Sequence, residues 1–357
     1  MQVAIKYGAI THENIVDAAG DIPGQEAGPT LVKRLMRLFP GASLIGAEAR
    51  RCNGFDVVPL AFVEAADTLV VNMDVIDSVA VWQTLHSRGD EPKLMNFMWH
   101  NPSRYHHPVN FAAMGLSFGL FPTFCSSERT AEEVREVVRR WALRELAETA
   151  RTAWVNLGIN VQRVKERAEP AVPVVLYPAI YLDSRKRPKM FMRIVDEVAK
   201  RTPIRVEARL HESSLITELA MALSTKDYAW VGPLTATKES YWRALSKTTA
   251  FLATASDEAY GLSYVEALMA GVVGVFPDLP WVRVILPQGY PFIYASEEQA
   301  VEMLRRAVTD PAGCRAEIDA SISGAGGDIR EWIRENHNDD DFDEVVVDTV
   351  NAWFPQR

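Results

Sequence analysis

Apolar positions in the first half of the chain fall in short, dense runs. Residues 3–7, 42–45, 55–58, 68–72 and 93–100 each read as a buried strand, and 154–157 as another. Between them lie stretches with helical spacing. Residues 30–39 form one, stopped by Pro40-Gly41. Residues 126–149 form a longer one, which Ser127 can cap, with Val134, Val137, Val138, Trp141 and Leu146 recurring along it. The pattern restarts after Glu169-Pro170. Strands are predicted at 172–177, 204–210, 228–231, 249–253 and 274–277, and helices at 189–200, 213–223, 238–246, 261–270 and 297–309. In the first of these helices Phe191, Ile194, Val195 and Val198 share one side. Alternating strands and helices predict doubly wound parallel sheets. The pattern occurs twice, so the expected architecture is α/β, with two Rossmann-like domains facing across a cleft. Their expected limits are 1–168 and 169–335. A tail, 336–357, carries one more helical pattern at 343–354 behind an acidic run that suits a helix N-terminus.

Size and composition agree with this division. The chain has 357 residues, 48% of them hydrophobic, too many for one ordinary core. No run of about 18 apolar residues occurs, so no transmembrane span is expected. Met1–Lys6 lacks the layout of a signal peptide and reads as the first strand. Cys52, Cys125 and Cys314 are scattered and odd in number, with no metal-ligand spacing. A reducing cytoplasm is the expected location. The formal charge of −9 argues against a non-specific nucleic-acid coat, though it leaves room for a local basic groove.

The chemistry concentrates in residues 256–271, Ser-Asp-Glu-Ala-Tyr-Gly-Leu-Ser-Tyr-Val-Glu-Ala-Leu-Met-Ala-Gly. A strand runs into a loop of small residues and then a helix. Gly261 lets the backbone approach a ligand closely. The free N–H groups and dipole of a helix start favour a diphosphate. Glu258 falls on the loop and Glu266 about one turn inside the helix, so two carboxylates can reach different parts of one extended ligand. Carboxylates accept strong hydrogen bonds from sugar and ribose hydroxyls. A plain strand–loop–helix unit with two solvated glutamates has the same spacing.

This stretch resembles the E-x7-E signature of retaining GT-B glycosyltransferases of the glycosyltransferase family 4-like group, with Tyr260 in place of the usual Phe. The resemblance implies a GT-B fold and a metal-independent, retaining hexosyl transfer from a nucleoside-diphosphate sugar, UDP- or GDP-linked, without a further cofactor. It implies that Glu258 meets the donor sugar and Glu266 the nucleotide ribose. The backbone at Tyr260, Gly261 and Leu262 would face sugar and diphosphate. Residues 126–131 resemble the family's S-x-x-T-A segment, 157–160 its N-G-V-D turn, and the last helix the one that crosses back onto the N-terminal domain. The family's diphosphate-binding Lys matches Lys186. Its Arg falls near Tyr181, so that Arg is either absent or replaced by Arg185 or Arg187. A solvated basic turn has the same composition. Gly24 belongs to a glycine loop, 20–28, that in the family reaches toward phosphates and acceptor, and an ordinary connection has the same composition. His100, at a strand end, is expected on the acceptor side, and Arg209 beside the base or phosphates. His100, His106 and His107 also suggest a metal site, but no carboxylate or cysteine joins them at ligand spacing, so no metal is expected.

Residues 239–266 and 287–294 are most similar to the queuosine-tRNA mannosyltransferases, which makes a modified nucleobase in tRNA or DNA the favoured acceptor. Arg50, Arg51, Arg104 and 185–187 would supply the positive charge. The other readings are a lipid-linked or small-molecule acceptor, or a non-catalytic nucleotide-binding relative.

Overall fold

The computed structural model describes residues 1–8, 15–24, 26–89, 91–235, 237–322 and 327–355. Its contacts divide the chain into two units: 1–156 together with 341–357, and 157–340.

The first unit is built on one sheet. Its strands are β1 (Gln2–Lys6), β2 (Ser43–Gly46), β3 (Arg50–Arg51), β4 (Asp56–Pro59), β5 (Thr68–Asn72), β6 (Lys93–Met98), β7 (Thr123–Cys125) and β8 (Thr152–Trp154). They lie in the order β3-β4-β2-β1-β5-β6-β7-β8. All pairs are parallel except β3 with β4. Every residue of β5 is buried, as expected of a central parallel strand covered on both faces. At the ends of these strands sits a polar network. Lys6 is buried and pairs with Asp77 at 2.7 Å. Asn72 donates to Asp77 and Ser78, and Ser78 to Asn96.

The long helix predicted over 126–149 is two, Glu128–Trp141 and Arg144–Thr149, separated by extended backbone at Ala142 and Leu143. Both pieces pack on the helix Pro108–Leu120, whose Gly115 lies against Trp141 and whose Gly119 lies against Leu146. The break lets one sequence wrap a neighbour that local periodicity cannot show. Ser127 does cap the first piece: its Oγ accepts from Thr130 N at 3.1 Å. The last helix, Asp339–Trp353, begins four residues earlier than its pattern suggested. Phe342 packs edge-on to Phe97 and Phe124 in the first unit, under the Arg34 guanidinium, and Asp343 binds Arg34 and Arg37.

The second unit holds β9 (Val174–Tyr177), β10 (Arg205–Leu210), β11 (Ala229–Pro233), β12 (Ala250–Leu252), β13 (Val273–Pro277) and β14 (Ile293–Tyr294). They form one parallel sheet in the order β11-β10-β9-β12-β13-β14. The helix predicted at 213–223 is broken into Glu212–Leu215 and Glu218–Ser224, because Thr217 caps the second piece. Among the described residues no helix is long and apolar enough to cross a membrane.

Candidate functional site

The chain leaves β12 into the loop 253–261 and enters the helix Leu262–Met269. The loop is held at several points. Tyr294 Oη donates to the Ala253 carbonyl at 2.8 Å, and Trp281 Nε1 to that of Ala255 at 3.3 Å. On its other side lies the segment 183–187, whose Asp183 carboxylate accepts from the backbone of Arg185 and Lys186. Thr254 Oγ1 donates to the Lys186 carbonyl at 2.7 Å, and Ser256 N to that of Arg185 at 2.8 Å. Two stretches about seventy residues apart in sequence are thereby joined at the Arg185 and Lys186 carbonyls.

That clamp brings Lys186 and Glu258 together. Lys186 Nζ lies 2.5 Å from Glu258 Oε1, and Tyr264 Oη donates to the same oxygen at 3.0 Å. The ion pair is mostly shielded, with side-chain exposures of 21% and 15%. Tyr264 is buried against Phe251, Phe276 and Trp281. Burial, then the Glu258 charge, holds its hydroxyl well above the usual phenol range, so it stays a donor. Burial, with Asp183 and Glu258, also pushes Tyr177 upward.

Gly261 caps the helix with φ +89°, a left-handed conformation. A Cβ there would stand 2.7 Å from Tyr264 Cδ2. Gly261→Ala is expected to lower stability by about 1–3 kcal/mol, from the strained φ and the packed ring together. An unchanged denaturant midpoint would show that glycine has no conformational role here. The first N–H groups of a helix lack intrahelical partners; here Tyr264 N donates back to the Gly261 carbonyl at 3.0 Å, so Leu262 and Ser263 are the candidate donors of this helix start. Arg187 is the one non-glycine with positive φ among the described residues, at 47°, and it caps the helix Pro188–Ala199.

Glu266 lies two residues beyond Tyr264, about 200° round the helix. It therefore faces a different group. It is buried, with Lys238 Nζ 3.8 Å away and the Tyr241 hydroxyl against it. Burial raises its pKa, while Lys238, Tyr241 and Arg163 pull it down. Each of the two carboxylates thus has its own cation and its own tyrosine hydroxyl.

The other expected residues each have their own surroundings. Arg185 pairs with Asp183 and is half exposed; its carbonyl, not its guanidinium, joins the clamp. Arg209 binds Glu207 at 3.0 Å and stacks over Trp230, so its contacts are not with the Lys186–Glu258 pair. Tyr260 turns its ring into the core, where its hydroxyl meets His337. Gly24 and His100 belong to the first unit. Gly24 has φ +87°, and its carbonyl accepts from Lys33 Nζ at 2.9 Å. His100 packs against Trp99 and Tyr105, with a buried Nδ1 that has no hydrogen-bond partner among the described residues. Burial, aided by Arg104, lowers its pKa to about 4. Gln25, within the glycine loop, lies outside the described residues. Among those residues no group of three or more His, Cys, Asp or Glu could hold a metal ion.

Sequence reasoning passed over Tyr264, Lys238 and Tyr241 as site residues. Tyr264 had a signal, since it stands one helical turn past Gly261. Lys238 had none: it comes from another helix, Lys238–Leu245.

No protein-family profile matches this chain, and no curated protein matches it. Solved structures do. A sucrose-phosphate synthase from Thermosynechococcus elongatus aligns with a TM-score of 0.71 at 12% identity, over 99% of each chain. A trehalose-6-phosphate synthase, solved in work on glycosyl transfer with retention, gives 0.69 at 11% identity over 98% of this chain and 99% of that one. HepE from Anabaena, in complex with UDP and glucose, gives 0.67 at 11% identity over 99% and 100%. The fold is GT-B: two Rossmann-like units, one on a sheet that is parallel except at β3 and one on a fully parallel sheet.

Proposed function

We propose that this chain is a retaining glycosyltransferase that moves a hexose from a nucleoside-diphosphate sugar to an acceptor hydroxyl. The observation that carries the reading is the convergence of Lys186, Glu258 and Tyr264 beside the Gly261 helix start. A sugar nucleotide presents hydroxyls, a diphosphate and a ribose. Glu258 accepts from the sugar hydroxyls. Lys186 has three donors and spends one on Glu258. It and the helix start offset charge that develops on the departing diphosphate, so these groups alone suffice without a metal ion. Glu266 binds the ribose from the next face of the helix. No side chain is assigned as a covalent nucleophile, and the acceptor attacks on the face from which the diphosphate leaves.

UDP is the first nucleotide to test, because HepE was solved with UDP and glucose. For the acceptor, the names of the structural neighbours point to sugar phosphates. They lend no support to a nucleobase in tRNA or DNA, so a sugar or sugar phosphate replaces it as the acceptor to try first. His100, with its neutral ring and an Nδ1 that has no hydrogen-bond partner among the described residues, is assigned to the acceptor side.

A ligand that binds only the folded state raises its stability, by about 2.7 kcal/mol at a hundred times its Kd. UDP-glucose and UDP should therefore raise the melting temperature of the protein, and Glu266→Ala should shrink that rise by removing the ribose contact. Incubation with UDP-glucose and glucose 6-phosphate should release UDP. If no UDP-, GDP- or ADP-sugar stabilises the protein and none is consumed, the reading fails.

A further inference from the structure

The second unit contains a buried polar contact that the donor chemistry above does not use. Tyr260, on the loop before Gly261, and His337, near the end of the unit, are 5% and 1% exposed. Tyr260 Oη lies 2.5 Å from His337 Nδ1. His337 Nε2 is also buried, with no hydrogen-bond partner among the described residues. Burial lowers the pKa of this histidine to about 4, so the ring is neutral. A neutral ring leaves one nitrogen unpaired in the core, which destabilises the fold. A leucine at position 337 facing a phenylalanine at position 260 would carry no such cost. Packing alone therefore does not account for the pair.

The backbone that carries His337 is closely held. Its carbonyl accepts from Ile159 N at 2.8 Å, its own N–H donates to Ile333 O at 2.8 Å, and Asp339 N returns to Ile159 O at 3.2 Å. Gly158 approaches so closely that a Cβ there would stand 2.1 Å from the Asn338 carbonyl carbon. The edge of Trp332 meets the imidazole at 5.0 Å between centroids. The imidazole is therefore a fixed point, and the loop that hangs from it through Tyr260 carries Glu258 two residues earlier and Gly261 one residue later.

We propose that His337 is a positioning residue: by holding the Tyr260 hydroxyl it fixes the 258–261 segment, and with it the carboxylate and helix start that receive the donor. The assignment of a donor to that segment rests on the proposed function. The positioning itself does not.

The test measures backbone amide exchange over 257–263 and over β13 in the wild type, Tyr260→Phe, His337→Leu, His337→Asn and the double variant Tyr260→Phe/His337→Leu. Removing both polar partners leaves none orphaned, so the double variant should keep a melting temperature near wild type. Its 257–263 amides should nevertheless exchange at least about tenfold faster, with β13 unchanged. His337→Asn, whose side chain can bond Tyr260 from the same position, should restore slow exchange. Wild-type exchange over 257–263 in the double variant would overturn the proposal. So would equal acceleration of β13, which would mark a general loss of packing. UDP release from UDP-glucose is read in parallel. A fall of about tenfold in kcat, with KM changed less than about threefold, is expected in the double variant. A wild-type protein that neither binds nor consumes sugar nucleotides would refute the proposed function and leave the exchange result to decide whether His337 positions the segment.

Discussion

Glu258→Ala is expected to lower hexosyl transfer by about a hundredfold while changing UDP affinity less than about threefold. The asymmetry follows from the pairing at the site. In the proposed function Glu258 is the acceptor that orients sugar hydroxyls, and in the structure it holds Lys186 at 2.5 Å. Removing it misplaces the sugar but frees the ammonium for the diphosphate. Lys186→Ala should behave differently. It removes a charge-assisted bond to phosphate, worth about 1.5–3 kcal/mol, so UDP affinity should fall about tenfold or more along with turnover. Glu258→Gln keeps an oxygen for Tyr264 but loses the charge, and should fall between wild type and Glu258→Ala in turnover. The comparison needs steady-state turnover and UDP titration on the three variants. Wild-type turnover in Glu258→Ala, or unchanged UDP binding in Lys186→Ala, would remove these roles.

A second large effect should appear on acidification. His100 and His337 are both held neutral, at about 4 instead of the ordinary 6.5. The unfolded chain takes up their protons as the pH falls below 6.5, while the folded chain refuses them until about 4. Stability is therefore fully present above 6.5 and is lost through that window. At about 1.4 kcal/mol for each tenfold difference in proton affinity, the loss is about 3 kcal/mol per histidine by pH 4. Total folding free energies are only about 5–15 kcal/mol. Glu266 acts in the opposite sense. Its raised pKa makes the charged form costly to the fold, so its protonation at low pH recovers part of the loss. The urea midpoint should drop between pH 7 and 4.5, and His337→Asn should flatten the drop. A midpoint independent of pH over that range, or a slope untouched by His337→Asn, would contradict the buried neutral rings.

How much of this could be read from the residues differs from element to element. Strands such as β5 and β13 are buried from end to end, so their apolar runs announced them. The stretch 256–271 also carried its own meaning, because strand, glycine loop, helix and two carboxylates are local in sequence. Helix breaks at 142–143 and 216–217 were not legible. The first depends on Trp141 and Leu146 packing against Gly115 and Gly119 of another helix, which periodicity does not record. Arg185 and Arg209 were named from the resemblance alone, and the contacts of their guanidinium groups with Asp183, Glu207 and Trp230 are made across the fold or by local turns that no motif records.

By itself, then, the amino-acid order determined the twofold α/β alternation, the place of the strand–loop–helix unit at 256–271, and the identity of its two acids. These depend on contacts between near neighbours, where side-chain period and backbone preference leave few alternatives. Only the tertiary structure decided which cation and which hydroxyl each acid meets. Lys186 reaches Glu258 through a backbone clamp across about seventy residues, Lys238 reaches Glu266 from a separate helix, and His337 reaches Tyr260 from the far end of the unit. Such pairings are set by sheet order and helix packing, and a short window of sequence contains neither.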